Sequence, residues 1–129
     1  MSHRTLFFIA ALLLGMAARL ALTSASPGPP RFVNAARNSG LDFRLENGAT
    51  AEKYQIETMA GGVGVIDYNN DGLPDIYFTN GARMPSLEKD QPCFLNRLFE
   101  NLGNGKFKDV TIRAGVQGRG FCTGVAFAA

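Results

Sequence analysis

Ten residues near the start of the chain return, altered, near its end. Phe32-Val33-Asn34-Ala35-Ala36-Arg37-Asn38-Ser39-Gly40-Leu41 matches Phe107-Lys108-Asp109-Val110-Thr111-Ile112-Arg113-Ala114-Gly115-Val116, 75 positions on, in the order Phe-x-Asn/Asp, Ala/Val, a small residue, Gly and an aliphatic residue. A second pair lies downstream: Gly62-Val63-Gly64-Val65-Ile66 is matched by Gly124-Val125-Ala126-Phe127-Ala128, at an offset of 62. The first unit therefore carries a connection 13 residues longer before its Gly-Val element. Repetition on this scale implies units that lean on one another, because a single small sheet cannot bury both of its faces alone.

Four short runs read as strands: Gly62–Ile66, Ile76–Thr79, Arg97–Glu100 and Lys106–Val110. Asn80-Gly81 ends the second, and Gly103-Asn104-Gly105 joins the third to the fourth as a hairpin turn. Glu52 to Met59 allows one or two helical turns; no segment after the N-terminal leader holds a helical period over three turns. With 15 Gly, 10 Phe and no Trp, the composition suits tight turns between short strands. The expected fold class is all-β: one or more β-propeller blades of four short antiparallel strands in an incomplete propeller. On a single blade Val63, Val65, Ile76, Phe78, Leu98 and Phe99 cannot all be covered, so the isolated polypeptide is expected to be marginally stable or aggregation-prone.

Between the first two strands lies Asp67-Tyr68-Asn69-Asn70-Asp71-Gly72-Leu73-Pro74-Asp75, of the form Asp-x-Asn-x-Asp-Gly-x-x-Asp. Alternate positions put oxygen donors on one side of a curling loop, and Gly72 permits the sharp turn. The Leu73 carbonyl can add a neutral oxygen and Asp75 can close the shell, an oxygen-only set suited to Ca²⁺. Three carboxylates this close repel one another without a cation. Mg²⁺ fits less well, since it demands tight octahedral geometry and keeps its waters. The alternative is an Asn/Asp/Gly-rich hairpin turn without metal. An EF-hand is excluded, because its twelfth position should be acidic and is Phe78 here, and because the flanks are β-like. A dockerin-type loop fails for the same reason.

Residues 1–25 read as a signal peptide: a positive start through Arg4, a 14-residue apolar run from Thr5 to Ala18, and small residues at Thr23-Ser24-Ala25. The run falls short of the roughly 18 residues a spanning helix needs; an uncleaved anchor using Arg19 is the alternative. No Cys follows it directly to carry a lipid. Residues 26–31 form a Pro-rich linker, and 32–129 form the repeat region. The expected location is secreted, extracellular or periplasmic, with no membrane span after cleavage.

The whole chain has 13 basic and 11 acidic residues, and loss of Arg4 and Arg19 with the leader balances them. Bulk-charge binding to nucleic acid is thereby excluded. The single histidine, His3, leaves too, which removes Ser-His and Cys-His pairs and His-bearing zinc sites. An exported context permits a disulfide between Cys93 and Cys122, the preferred reading, while spacing alone leaves two free buried thiols open.

The string Gly64-Val65-Ile66-Asp67 followed by Asp67-x-Asn69-x-Asp71-Gly72-x-x-Asp75-Ile76-Tyr77 resembles the FG-GAP, or VCBS, repeat of integrin α-like β-propellers. Three further strings are similar to the cartilage acidic protein family, including bacterial proteins that bear an ASPIC/UnbV domain. They are Ser39-Gly40-Leu41-Asp42-Phe43, Glu57-Thr58-Met59-Ala60-Gly61-Gly62 and the run from Asn96 to Thr111. The resemblance covers about Phe32 to Ala128. It implies a secreted, Ca²⁺-stabilised propeller, usually of seven blades, with Asp67, Asn69, Asp71, the Leu73 carbonyl and Asp75 as calcium ligands. The family pattern would begin another calcium loop after Ala128, where this sequence has Ala129, and would continue to an ASPIC/UnbV segment; the expectation is a fragment. In a closed ring the Phe32 strand would pair with the last blade, as its matched Phe107 strand closes this one.

The expected function is a binding, adhesion or interaction module for an extracellular protein or carbohydrate ligand, with no catalytic residue assigned. The alternative is an extracellular propeller enzyme, a hydrolase or lyase, whose site lies in a further C-terminal part. Its acid–base candidates here, Glu46, Glu57 and Glu100, form no recognisable pair and read as solvated surface residues. Arg97, Lys106, Lys108, Arg113 and Arg119 read as solvent faces, giving no support to nucleic-acid or membrane-surface binding. Phe43, Phe94, Phe99, Phe107 and Phe121 read as core plugs. Ala82 to Asn96 reads as a long loop that could reach a partner.

Overall fold

Small residues on one side of a strand and branched ones on the other suit a sheet that must be approached closely on one face, and the Gly62–Ile66 run forms β1 on that plan. It is followed by β2 (Asp75–Thr79), β3 (Arg97–Gly103) and β4 (Lys106–Asp109) in a four-stranded antiparallel meander of order β1-β2-β3-β4. The described residues are therefore all-β, a single four-stranded blade with a few helical turns. The computed structural model describes residues 28–128. The expected signal peptide, and the linker before Gly28, lie outside the described residues. No helix among the described residues is long and apolar enough to cross a membrane.

Register places Val63 opposite Phe78 and Val65 opposite Ile76, with Ile76 in turn opposite Phe99. These residues share one face, where Phe43 stacks on Phe78 at 4.5 Å between ring centroids and Phe78 meets Phe99 edge-on at 5.9 Å. Burial grades across that face. Phe99 is 1% exposed, while Val63 and Val65 remain 61% and 63% exposed, so β1 offers an apolar edge region that nothing among the described residues covers. Of the six apolar residues that one blade cannot bury together, the sheet chooses those of β3.

The other face carries Gly62, Gly64, Tyr77 and Leu98. The C-terminal segment lies against it: a side chain at Gly62 would meet the Gly124 backbone at 2.8 Å, and one at Gly64 would run into the Phe127 ring. The second matched pair of the sequence is thus in contact, the later copy lying on the earlier one. Residues 124–128 form no strand here.

The first matched pair folds alike. Helix α1 (Ala36–Ser39) ends on Gly40 at φ +86°, and α2 (Thr111–Ala114) ends on Gly115 at φ +70°, each in the left-handed conformation that favours glycine. Both helices and both caps are 75 positions apart, matching the sequence offset. The copies part company at their starts. Phe107 lies in β4, whereas Phe32 and Val33 are exposed and outside any strand.

Ala82 to Asn96, expected as a long loop, is tied to its surroundings at several points while much of it stays exposed. Arg83 bridges to Glu88 and pairs with Asp90 at 2.8 Å. The Lys89 ammonium donates to the carbonyls of Asn80 (2.8 Å), Gly81 and Phe94 (2.7 Å). Burial pushes the Lys89 pKa below its ordinary value, opposed in part by the nearby Cys122. Ala82 and Phe94 are buried. Of the other expected core plugs, Phe43, Phe107 and Phe121 are half-buried.

Candidate metal centre

The β1–β2 connection places its polar side chains by local rules. Asn70 at φ +57° and Gly72 at φ +84° curl the backbone, and the short side chains of Asp67, Asn69 and Asp71 accept from the N–H groups this exposes. Asp67 accepts from Asp71 N (3.1 Å) and Gly72 N (2.9 Å) through its two oxygens. Asn69 Oδ1 also accepts from Asp71 N at 3.2 Å, and Asp71 Oδ1 accepts from Leu73 N at 2.8 Å. The structure therefore brings Asp67, Asn69 and Asp71 together around one backbone amide, in a loop open to solvent from Asn69 to Pro74.

Asp75 is different in kind. It is fully buried, and its oxygens accept from Tyr68 N at 3.0 Å and Asn101 N at 2.6 Å. Two backbone donors offset the cost of burying the carboxylate and fasten the loop's closing residue to β3. Asn101 also donates through Nδ2 to the Pro74 carbonyl at 2.9 Å. Its neighbour Glu100 accepts from Asn69 Nδ2 at 3.3 Å and from Arg113 at 2.6 Å. Arg113 also donates to the Tyr68 hydroxyl at 2.6 Å. The Tyr68 hydroxyl and the Glu100 carboxylate hold the Arg113 guanidinium above its ordinary pKa, leaving it charged.

Among the described residues, no three His, Cys, Asp or Glu side chains are gathered as a metal cluster. The donors that the loop does gather are two carboxylates and an amide oxygen, with the Leu73 carbonyl on the same turn and Asp75 at its base. That chemistry suits a hard cation that takes oxygen, and does not suit a soft metal that needs sulfur or imidazole. Backbone N–H groups of Asp71, Gly72 and Leu73 donate to these oxygens.

The expected Cys93–Cys122 bridge is not formed; both cysteines are free. The Cys93 sulfur faces Gln91 Oε1 at 3.6 Å and is exposed, whereas the Cys122 sulfur faces Asn96 and the carbonyls of Arg119 and Gly120. The two thiols are turned to different neighbours, as a bridge cannot tolerate.

The three glutamates considered as acid–base groups are structural. Glu46 pairs with Arg44 at 2.9 Å and Glu100 with Arg113. Glu57, expected on the surface, is only 6% exposed. It accepts from the Thr50 hydroxyl at 2.7 Å and from the backbone N–H groups of Thr50 and Tyr54, both at 3.2 Å. The Thr50 hydroxyl bond leads in drawing its pKa below the ordinary 4.5, burial opposes, and the two backbone bonds add to the lowering. A depressed carboxylate stabilises the fold above its unfolded pKa and loses that contribution as pH falls through the folded value. Wild-type stability should therefore fall on acidification below about pH 4.5. Glu57→Gln should be less stable at pH 7 and lose part of that acid dependence in urea denaturation between pH 3 and 6. Equal acid slopes for the two proteins would remove Glu57 from the account.

Sequence reasoning missed Asn80, which is 1% exposed. Its side chain accepts from Glu46 N (2.7 Å) and donates to the carbonyls of Arg44 (3.2 Å) and Cys93 (2.9 Å). Its backbone N–H donates to Asn96 Oδ1 at 2.8 Å, and its carbonyl accepts from Cys122 N at 3.2 Å. An Asn-Gly pair after a strand reads as a turn, and the sequence holds no sign of partners so far along the chain.

A four-stranded meander with an Asp/Asn loop between its first two strands defines a class of repeat, and comparison with known families agrees. Residues 67–128 match the family model of the FG-GAP-like repeat. Comparisons with curated proteins and with solved structures found no match.

Proposed function

We propose that the chain is part of a secreted, calcium-binding FG-GAP repeat protein of the cartilage acidic protein (ASPIC/UnbV) type, acting as a binding or adhesion module. The observation that carries this reading is the convergence of Asp67 and Asn69 on the Asp71 amide, with Asp75 fastened beneath. Ca²⁺ would be held by Asp67, Asn69, Asp71, the Leu73 carbonyl and Asp75, replacing N–H donors as the partner of the loop's negative charge. When bound it supplies a rigid link between β1 and β2. Recognition of an extracellular protein or carbohydrate then falls to other surfaces of the repeat, because the cation's work is done inside the hairpin. Glu46 and Glu100 are engaged in ion pairs, and Glu57 in hydrogen bonds from Thr50 and Tyr54.

Binding to the folded state alone stabilises it by about 2.7 kcal/mol at 100 times the Kd. For a domain of this size that corresponds to a rise in Tm on the order of 10 °C. Thermal melts of the full chain in excess Ca²⁺ and in chelator should differ by such an amount, and Asp71→Ala should abolish the difference. Identical wild-type melts in the two conditions would refute the calcium reading.

A further inference from the structure

Glu100 and Arg113 belong to neither the ligand set nor the apolar core, yet both are tied to the loop. Glu100 sits on β3 with its side chain 17% exposed, and it bridges: one oxygen accepts from Asn69 Nδ2 and the other from Arg113 Nη2. Arg113 lies on α2 and reaches the Tyr68 hydroxyl with the same nitrogen. Tyr68 in turn donates its backbone N–H to Asp75. The chain Asn69, Glu100, Arg113, Tyr68, Asp75 thus encloses the loop on one side. On the other side the backbone N–H of Asn101 holds Asp75 and its side chain holds the Pro74 carbonyl.

We propose that Glu100 and Arg113 are positioning residues for the cation loop, fixing Asn69 with its amide nitrogen outward and its oxygen inward. The inference rests on the calcium reading above. An amide has a donating end and an accepting end, and only the accepting end can serve a cation. Two acceptors draw the Asn69 nitrogen: Asp71 Oδ2 at 2.8 Å and Glu100 Oε1 at 3.3 Å. Asp71 is itself a candidate ligand, so Glu100 is the acceptor that stays available when a cation draws on the loop. Arg113 holds the Glu100 carboxylate in place and offsets its charge, which would otherwise add to the repulsion among Asp67, Asp71 and Asp75. Groups outside the ligand set that orient ligands in this way typically contribute 10- to 100-fold in metal affinity.

Charge and positioning make opposite predictions at Arg113. Removing a cation beside an acidic loop strengthens Ca²⁺ binding by simple electrostatics, but weakens it if Arg113 orients the site. Ca²⁺ titration of the full chain by calorimetry, with circular dichroism in chelator to confirm folding, decides between them. Arg113→Gln and Glu100→Gln should each raise the Kd by about tenfold or more. Tyr68→Phe, which deletes one hydroxyl and spares the fold if the larger changes do not, should give a smaller loss in the same direction. An Arg113→Gln affinity equal to or tighter than wild type overturns the positioning role while leaving the calcium reading standing. If Arg113→Gln does not fold, unchanged Ca²⁺ affinity in Tyr68→Phe overturns it instead. No saturable wild-type binding overturns both.

Discussion

Replacing Asn80 by alanine is expected to remove the cooperative unfolding transition. The substitution leaves the Glu46 N–H and the carbonyls of Arg44 and Cys93 without their present side-chain partner. A buried group left unpaired costs roughly 1–3 kcal/mol, and with these three only partly buried the loss is on the order of 3 kcal/mol. That is a large part of the total for a small domain, which runs to about 0.05–0.15 kcal/mol per residue. Asn80→Asp should be worse, because a carboxylate oxygen would face carbonyl oxygens where the amide now donates. Urea denaturation followed by far-ultraviolet circular dichroism reads both. A two-state transition in Asn80→Ala with a midpoint near wild type would show that the strand-end junction is held by something else.

The second large effect is at Phe99, the most buried aromatic side chain of the sheet. Its ring meets Phe78 edge-on, and Phe78 carries Phe43, so its removal opens a cavity beneath the stacked Phe78 and Phe43 rings. Phe99→Ala should cost about 3–5 kcal/mol. Val65→Ala, on the same face but mostly exposed, should stay within about 0.5 kcal/mol. The contrast follows from the burial gradient across the blade, which places the core at β3 and leaves β1 open. Equal costs at the two positions, measured by chemical denaturation, would mean that β1 is covered in solution.

Much of this architecture was legible in the sequence because its signals are local. Glycine alternating with valine, Asn-Gly and Gly-Asn-Gly mark β1, β2 and the β3–β4 hairpin within a residue or so. β3 runs on to Gly103 where the apolar pattern stops at Glu100, because Asn101 earns its place in the strand by bonding the Pro74 carbonyl and Asp75 rather than by packing. The repeat was legible for a physical reason: each copy needs a glycine in the left-handed conformation to end a one-turn helix, and Gly40 and Gly115 supply it. Whether Phe32 forms a strand is not legible locally, because a strand depends on a partner that local sequence does not contain.

The site divides in the same way. The loop donors follow from spacing, since Asp67, Asn69 and Asp71 meet through bonds to residues only two to five positions away. The groups that hold the loop do not. Glu100 is 31 positions from Asn69, and Arg113 is 45 from Tyr68. Glu57 read as surface because its partners, Thr50 and Tyr54, come from a turn with no periodicity. The cysteines show that a disulfide needs matching geometry, which spacing along the chain does not carry.

That the Asp67–Asp75 loop is a cation loop joining β1 to β2 is tested most directly by amide hydrogen exchange of the full chain with and without Ca²⁺. Ca²⁺ should slow exchange at Asp71, Gly72 and Leu73 and along β1 and β2, and leave α1 and the segment from Gly48 to Lys53 unchanged. Exchange that is the same in both conditions at every loop and β1–β2 amide would contradict it.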